Sequence, residues 1–217
     1  MEVLSEFGRA TWITAEITFG AAVLAWVTAF IAGLAKLSEN RFISWPAVAF
    51  VEFLRGTSCY VQLFWLYFVL PLAGIEISAI VVGIVAIGLN IGCYGSEVVR
   101  SAILAVPKGL TEASKALNLS PRQTLWHVVI PNAFPRMLPP MCNLMVDLLK
   151  TTPLVSLITI ADLTFVGQIY RQQTGNPLAA FGALLVIYFG LSSVIIGISR
   201  RLEIRASRGF EGTRSEK

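Results

Sequence analysis

The chain has 217 residues, of which 55% are hydrophobic and 14% are charged, and its formal net charge is +4. Soluble domains carry roughly 25% charged residues, so this composition is typical of a membrane protein and excludes a large separate soluble domain. The basic residues lie in loops beside hydrophobic segments, which favours a role in membrane orientation and not in nucleic-acid binding.

Five hydrophobic segments follow one another along the chain, and a helix needs about 20 residues to cross a bilayer. We predict one all-α transmembrane domain over residues 1–217, with spans near 12–37, 47–70, 77–98, 128–160 and 177–199. The fourth span contains Pro131, Pro135, Pro139 and Pro140. Because proline removes a backbone donor and kinks a helix, we expect this span to bend before it crosses the membrane.

Basic residues near the span ends are strongly biased to one side. Only Arg9 and Arg171 fall on the opposite side, whereas the others are Lys36, Arg41, Arg100, Lys108, Lys115, Arg122, Arg136, Arg200, Arg201, Arg205, Arg208, Arg214 and Lys217. Cytoplasmic segments are enriched in Lys and Arg, so we predict that the N-terminus lies outside and the C-terminus inside. The short acidic N-terminus lacks a basic region, and we expect no cleaved signal peptide.

Small residues recur at every fourth position on two spans. They are Ala21, Ala25, Ala29 and Gly33 on the first span, and Gly88, Gly92 and Ser96 on the third. This spacing lets helix backbones approach closely in lipid, so it predicts a packed helix bundle.

The segment 107–131 (PKGLTEASKALNLSPRQTLWHVVIP) is amphipathic and lies between hydrophobic spans, on the predicted cytoplasmic side. Ser120 followed by Pro121 is typical of a helix N-cap with proline at the first helical position. A small apolar face, suited to the cleft of another protein, is formed by Ala113, Ala116, Leu117 and Leu119. From amphipathicity alone, a helix lying on the lipid surface is the alternative.

Six ionisable residues at membrane depth form three pairs, Glu52–Arg55, Glu97–Arg100 and Asp147–Lys150. Residues three apart share one helix face, and ionisable groups in a bilayer usually face a partner or a water-filled path. For the first two pairs we predict mutual neutralisation near the cytoplasmic surface.

The fourth span offers candidates for a translocation path or its gate, namely Asn143, Asp147, Lys150 and Thr151. The alternative is that Asp147 and Lys150 merely neutralise each other inside the bundle. Asn90, in the third span, is a weaker candidate, because such a residue more often makes a helix–helix hydrogen bond.

Motifs for catalysis are absent from the sequence. No phosphate-binding loop of the GxxxxGK[ST] type occurs, so we expect the chain not to hydrolyse ATP. His127 is the only histidine, which excludes a multi-histidine metal site. We therefore expect a protein that is not an enzyme and that binds no metal or cofactor itself.

The segment 107–131 resembles the EAA loop of ABC importer permeases, and we refer to it below as the EAA-like loop. Glu112 and Ala113 match the first two residues of the EAA triplet, and residues 128–131 match the hydrophobic-proline ending. Ser114 and Asn118 depart from the pattern, because the family has alanine and glycine at these two positions. In that family the loop forms a short helix that docks into a cytoplasmic ATPase. The resemblance implies an ATPase-coupling role for Glu112, Ala113, Ser114, Leu117, Asn118, Leu119, Ser120 and Pro121.

The resemblance covers about residues 10–203 and is to polar amino-acid uptake permeases of the histidine and glutamine type. It includes the strings EFLRGT (52–57), LLKTT (148–152) and LVSLI (154–158). Longer strings at 55–71, 89–107 and 154–165 are similar to permeases of ectoine and hydroxyectoine importers. A polar amino acid or an amino-acid-like compatible solute is therefore the expected cargo, with ectoine as one candidate.

The resemblance also implies a type I ABC importer fold in a bacterial inner membrane and a set of partners. These are an ATP-binding cassette ATPase dimer that holds ATP and Mg, a second permease subunit (the same chain or a paralogue), an external solute-binding protein and membrane lipid. Nucleotide would then bias a two-state pore. A passive channel and a membrane scaffold subunit are the alternatives, and the EAA-like loop speaks against the channel.

Overall fold

A computed structural model describes residues 2–207, and within this range the chain is helical and contains no strand. The α-helices are α1 (Glu2–Lys36), α2 (Arg41–Gly56), α3 (Cys59–Phe64), α4 (Ala79–Leu104), α5 (Lys108–Ala116), α6 (Pro121–Gln123), α7 (Ile130–Thr151), α8 (Leu163–Thr174) and α9 (Pro177–Ser207). The all-α prediction is confirmed. The polar tail after Phe210 and the basic residues Arg208, Arg214 and Lys217 lie outside the described residues.

Four helical stretches within residues 2–207 are long and apolar enough to cross a membrane. They are Ser5–Lys36, Ala79–Leu104, Pro121–Ile158 and Pro177–Ala206. A fifth crossing is possible only if the bent pair Arg41–Gly56 and Cys59–Ala73 forms one span. Length and composition therefore allow the five crossings expected from the sequence, with the second one broken.

The second hydrophobic segment, for which the sequence indicated one span near 47–70, is bent by 101° between α2 and α3. Gly56 ends α2, and Thr57 and Ser58 are extended. With 16 residues, α2 is about 24 Å long, which is short of the roughly 30 Å of a bilayer core. On the near side of the bend, Glu52 of α2 lies 3.7 Å from Lys36 Nζ, in the last turn of α1.

The fourth hydrophobic segment is one continuous helical stretch from Pro121 to Ile158, and α7 runs through Pro135, Pro139 and Pro140. The local irregularity comes before these prolines, in the π-helical turn Thr124–Val129. A second π-helical turn, Trp65–Val69, follows α3. Both turns end two residues before a proline, where the missing N–H interrupts the ordinary hydrogen-bond pattern.

Helices α1 and α4 run parallel and form the centre of the bundle through their small residues. A Cβ added at Gly92 would lie 2.6 Å from Thr28 Cβ, and one at Gly33 would lie 2.9 Å from the Ser96 carbonyl oxygen. Ala21, Ala25 and Ala29 are fully buried. The predicted small-residue packing is confirmed. It fixes how α1 and α4 are aligned along their length, so that Lys36 at the end of α1 lies beside Glu97 of α4.

At the end of the bundle where α1 begins, α8 is held by buried polar groups. Asp162 is the N-cap of α8, and its carboxylate accepts hydrogen bonds from the backbone N–H groups of Phe165 (2.9 Å) and Thr164 (3.2 Å). The Leu163 N–H donates to Thr14 Oγ1 of α1 at 3.1 Å. These contacts attach the short helix α8 firmly to the first span.

Candidate functional site

The EAA-like loop folds as two helical pieces joined by a tight turn. Helix α5 ends with Asn118 in the left-handed conformation (φ 53°). The N–H of Leu119 donates to the Ser114 carbonyl (3.1 Å) and that of Asn118 donates to the Lys115 carbonyl (2.9 Å). This is a Schellman motif, in which glycine is preferred and asparagine is tolerated. Asn118 therefore supplies the left-handed turn that glycine adopts most readily.

Ser114 faces the protein interior and is only 2% exposed. Its hydroxyl donates to the Thr111 carbonyl (2.8 Å) and lies 3.1 Å from Thr124 Oγ1 on the following helical turn. Ser114 thus holds the two pieces of the loop together, and it does not contribute to the loop's outer surface.

The outer surface of α5 carries Glu112, Ala113, Ala116 and Leu117, all exposed, with Leu117 at 75%. We call these four residues the exposed face of α5. Leu119 is only partly exposed. Two of the side chains on this face are single methyl groups, so they project little from the helix. A concave partner surface can therefore approach the helix backbone closely.

The predicted cap at Ser120 and Pro121 is confirmed. The Gln123 N–H donates to Ser120 Oγ (3.4 Å), and the Ser120 N–H donates to Gln123 Oε1 (2.9 Å), which completes a capping box. Pro121 occupies the first turn of α6. Local sequence therefore defines both the end of α5 and the start of the next helix.

The loop is seated on the ends of α4 and α7. Buried Val106 and Val129 pack in one apolar cluster with Ala133 and Met137 of α7. The Arg136 guanidinium donates a hydrogen bond to the Ala105 carbonyl, at the end of α4. A displacement of the exposed face of α5 would therefore move both α4 and α7, since apolar packing and a hydrogen bond connect them.

The two charge pairs predicted to be separate are joined by a fifth residue, Lys36. Glu52 lies 3.2 Å from Arg55 Nη1, and Glu97 lies 2.9 Å from Arg100 Nε. Lys36 Nζ forms an ion pair with Glu97 and lies 3.7 Å from Glu52 Oε1. From the sequence, Lys36 was interpreted only as a basic loop residue. Its position one turn after Gly33, in the small-residue face of α1, indicated that it could meet the neighbouring span. We call these five residues the charge network.

Asn90 makes helix–helix hydrogen bonds at the bend. Its amide donates to the Leu54 carbonyl (3.2 Å) and to Gln62 Oε1 (3.3 Å), and Asn90 is 7% exposed. Gln62 donates in turn to the same carbonyl and to Thr57 Oγ1, both at 2.7 Å. These two amides satisfy backbone and side-chain groups that the bend leaves unpaired. Gln62 was not singled out from the sequence.

Asn143, Asp147 and Lys150 lie together on one exposed stripe of α7, while Leu148 and Leu149 are buried on its other side. Lys150 Nζ is 3.6 Å from Asp147 Oδ1, and the two side chains are 64% and 60% exposed. The Thr151 hydroxyl donates to the Asp147 carbonyl (2.8 Å) and so points back along the helix. The structure thus brings together three of the four predicted polar side chains of this span.

Comparison with known proteins gives concordant matches. Residues 21–208 match the family described as binding-protein-dependent transport system inner membrane component. The chain is 40% identical to the probable amino-acid ABC transporter permease protein y4tF of Sinorhizobium fredii, over 95% of this chain and 90% of the relative. It is 36% identical to the glutamine transport system permease protein GlnP of Escherichia coli, over 82% and 83% respectively.

Solved structures share the same architecture. A crystal structure of an amino acid ABC transporter with histidines superposes with a TM-score of 0.86 at 28% identity, covering 94% of this chain and 95% of that one. An inward-facing structure of the MetNI methionine ABC transporter gives 0.80 at 20% identity, over 95% and 98%, and at that identity it shows the fold alone. The type I ABC importer fold expected from the sequence is confirmed.

Proposed function

Because this chain belongs to the family of binding-protein-dependent transport system inner membrane components, we propose that it is the permease subunit of an ATP-driven importer of a polar amino acid or an amino-acid-like compatible solute. The observation that carries this proposal is the exposed face of α5. It presents small apolar side chains on a loop that is fastened to two helices of the bundle.

In the proposed mechanism, the exposed face of α5 docks into the cleft of a cytoplasmic ATPase dimer. ATP and Mg bind to that partner. When the ATPase dimer closes, α5 moves with it, and the contacts of Val106, Val129 and Arg136 pass the movement to α4 and α7. A two-state pore that nucleotide biases in this way needs only a stiff connection between the docking helix and the spans.

The remaining partners follow from the family. The pore is made with a second permease subunit, either the same chain or a paralogue, and an external solute-binding protein delivers the cargo. The complex lies in a bacterial inner membrane with the N-terminus of this chain outside and its C-terminus in the cytoplasm. The distribution of basic residues supports this orientation.

We place the cargo path along the exposed stripe of α7. Asn143, Asp147 and Lys150 give a mixed-sign polar surface on a helix long enough to cross the membrane, and such groups are tolerated there when they meet water or a polar solute. A zwitterion complements both charges. The names of the relatives support an amino-acid-like cargo, and the similarity of residues 55–71, 89–107 and 154–165 to ectoine permeases keeps ectoine as a candidate.

The docking step is tested by purifying the tagged chain from membranes of its native host. We expect an ATPase subunit to co-purify, and we expect Ala113→Asp to abolish its recovery while the permease remains in the membrane. A carboxylate buried in an apolar interface without a partner costs several kcal/mol. The matched control is Ala179→Asp, in the first turn of α9, where a negative charge suits the helix dipole.

If the unmodified chain brings down no ATPase, a passive channel or a scaffold becomes the better interpretation. If Ala113→Asp retains the ATPase, the exposed face of α5 is not the docking surface. Both results differ from a general loss of the protein, because immunoblotting of the membranes measures the amount of permease directly.

The path is tested by the exchange Asp147→Lys with Lys150→Asp. If the pair only neutralises itself, the exchange preserves assembly and uptake, because the two charges remain three residues apart. If the stripe meets cargo, assembly persists while uptake or cargo preference changes. Uptake of radiolabelled glutamine and ectoine into proteoliposomes that contain the ATPase, with the solute-binding protein added, measures the difference.

A further inference from the structure

Lys36 has a more enclosed side chain than its ion-pair partners, at 6% exposure against 27% for Glu97 and 57% for Glu52. It occupies the last position of α1, where a cation also suits the helix dipole. One turn earlier, the absence of a side chain at Gly33 lets the α4 backbone come close, since an added Cβ would lie 2.9 Å from the Ser96 carbonyl oxygen. This close approach brings the ammonium group to Glu97.

The two carboxylates that Lys36 meets belong to different helices. Glu97 lies in α4, which leads directly into the EAA-like loop, and Glu52 lies in α2, just before the 101° bend. Each carboxylate also has an arginine three residues later on its own helix, Arg100 or Arg55. Within the charge network, therefore, the arginines neutralise charge inside single helices, and Lys36 provides the connection between helices.

The other bonds between α2 and α4 lie near the bend, where Asn90 and Tyr94 donate to the Leu54 and Arg55 carbonyls, and the rest of α2 is little buried. Val51 is the only buried residue of this helix, and Phe42, Trp45 and Phe53 are exposed. The far end of α2 lies roughly 15 Å along the helix from Glu52, so a small rotation at the bend would become a large displacement at Phe42. A contact close to the bend thus controls the direction of the whole helix.

We propose that Lys36 is a positioning residue that couples α2 to α4, so that a movement of the EAA-like loop is passed to the bent second span. This inference rests on the proposed function for the origin of the movement. The link itself is a property of this chain alone. Without Lys36, the two carboxylates keep their own arginines, and α2 and α4 lose their ion-pair connection. Only the bonds of Asn90 and Tyr94 near the bend then join the two helices by polar contacts.

Lys36→Met tests the coupling because methionine keeps an unbranched stem and removes the charge. Spin labels placed at Phe42 and Leu104, which are 91% and 61% exposed, report the separation of α2 and α4 in a background without the three native cysteines. The complex with its ATPase is measured by pulsed EPR without nucleotide and after trapping with Mg-ATP and vanadate.

In the unmodified complex we expect the same distance in both states, because α2 follows α4. In Lys36→Met we expect a nucleotide-dependent change of roughly 1–2 Å, the size of common helix shifts, because α2 then follows α4 less closely. Lys36→Arg should restore the unmodified behaviour, since the charge is restored. Arg41→Met, a change of an exposed basic residue at the start of α2, should leave the distances unchanged.

Distances in Lys36→Met that equal those of the unmodified complex in both states would overturn the proposal. A broad distribution that does not respond to nucleotide would also overturn it, because Lys36 would then only stabilise the fold. If Lys36→Met does not accumulate, Glu52→Gln removes the ion pair between Lys36 and α2, together with the pair that Glu52 forms with Arg55 inside α2. It should give the same nucleotide-dependent change, and unchanged distances would again refute the coupling.

Failure of the proposed function is a separate observation. If no ATPase accompanies the unmodified chain, the distance between the two labels is measured in the permease alone. A longer or second distance in Lys36→Met, absent in Lys36→Arg, still supports the link between α2 and α4, and an unchanged distance overturns it.

Discussion

Two regions carry charged and polar residues on helices but are stabilised in different ways. One is the EAA-like loop, and the other is the contact of α1 and α2 with residues 90–97 of α4, which we call the junction. The loop depends on contacts between near neighbours, such as the Ser120–Gln123 capping box and the turn at Asn118. The junction depends on residues that are far apart in sequence, such as Lys36 with Glu97 and Asn90 with Leu54.

This difference suits the proposed roles of the two regions. A loop that docks onto a partner must keep its shape by itself, since its outer face is exposed until the partner binds. A junction that passes movement between spans must instead connect separate helices. Overpacking in the junction should therefore disturb the whole bundle, whereas substitutions in the loop should act locally. Substitutions at Gly92 and Asn118 test this contrast, and a substitution at Asp162 tests a buried helix cap outside both regions.

The largest effect is expected for Gly92→Val, in the packed junction. The new Cβ would lie 2.6 Å from Thr28 Cβ, a contact that forces α1 and α4 apart. Overpacking of this kind costs about 1–3 kcal/mol or more, so we expect a large fall in folded protein after detergent extraction. Size-exclusion chromatography and thermal melting in detergent measure this loss.

The control for Gly92→Val is Gly190→Val in α9, where an added Cβ meets nothing within 4 Å. Valine is no worse than glycine within a helix, so this variant should melt near the unmodified temperature. Equal stability of the two valine variants would contradict the account of close packing between α1 and α4.

A pH-dependent effect of intermediate size is expected at Asp162, in the turn before α8 and outside the candidate spans. Burial raises the pKa of its carboxyl from 3.8 to about 6, although hydrogen bonds from Phe165 and Thr164 oppose the shift. The folded state therefore holds the proton more tightly than the unfolded state does. Asp162 favours folding most below about pH 4, and this contribution is lost as the pH rises through about 6.

Asp162→Asn should remove that dependence and still cap α8, because asparagine is as good an N-cap as aspartate. At pH 7.5 we expect the variant to have a higher melting temperature than the unmodified protein, because its free energy of unfolding is larger by up to roughly 3 kcal/mol. At pH 4 we expect little difference between the two proteins. Melting curves at several pH values measure this. A constant difference between the two proteins across the range would mean that ionisation of Asp162 is not responsible.

The smallest effect is expected in the loop, at Asn118. Asn118→Gly should change stability by less than about 1 kcal/mol and should preserve ATPase recovery, because glycine adopts the same left-handed turn readily. Asn118→Val should reduce ATPase recovery, since a β-branched residue is strained at this φ, while the melting temperature of the bundle stays nearly constant. A large fall in that temperature would contradict the independence of the loop.

The sequence predicted much of the loop because its structure is local. The helix cap at Ser120 and Pro121 follows from residue types at adjacent positions, and the structure confirms it. The apolar side chains of Ala113, Ala116, Leu117 and Leu119 were predicted as one face, and the first three are exposed together while Leu119 is only partly exposed. Ser114 was grouped with the coupling residues, but only its contact with Thr124 reveals that it faces inward.

Hydrophobic segments, small-residue spacing and the family resemblance were sufficient for the helical class, the packing of α1 against α4 and the importer fold. The helical class and the packing of α1 against α4 depend on composition and on short-range periodicity, which are read directly from the chain, whereas the importer fold was implied by the family resemblance. Tertiary structure alone decided three other features. They are the bend after Gly56, the hydrogen bonds made by the side-chain amides of Gln62 and Asn90, and the charge network around Lys36. The ion pairs that Lys36 makes join groups 16 and 61 positions apart, in Glu52 and Glu97, and the Gln62–Asn90 hydrogen bond joins groups 28 positions apart. No local pattern specifies which distant partner a buried polar group will find once the helices have packed.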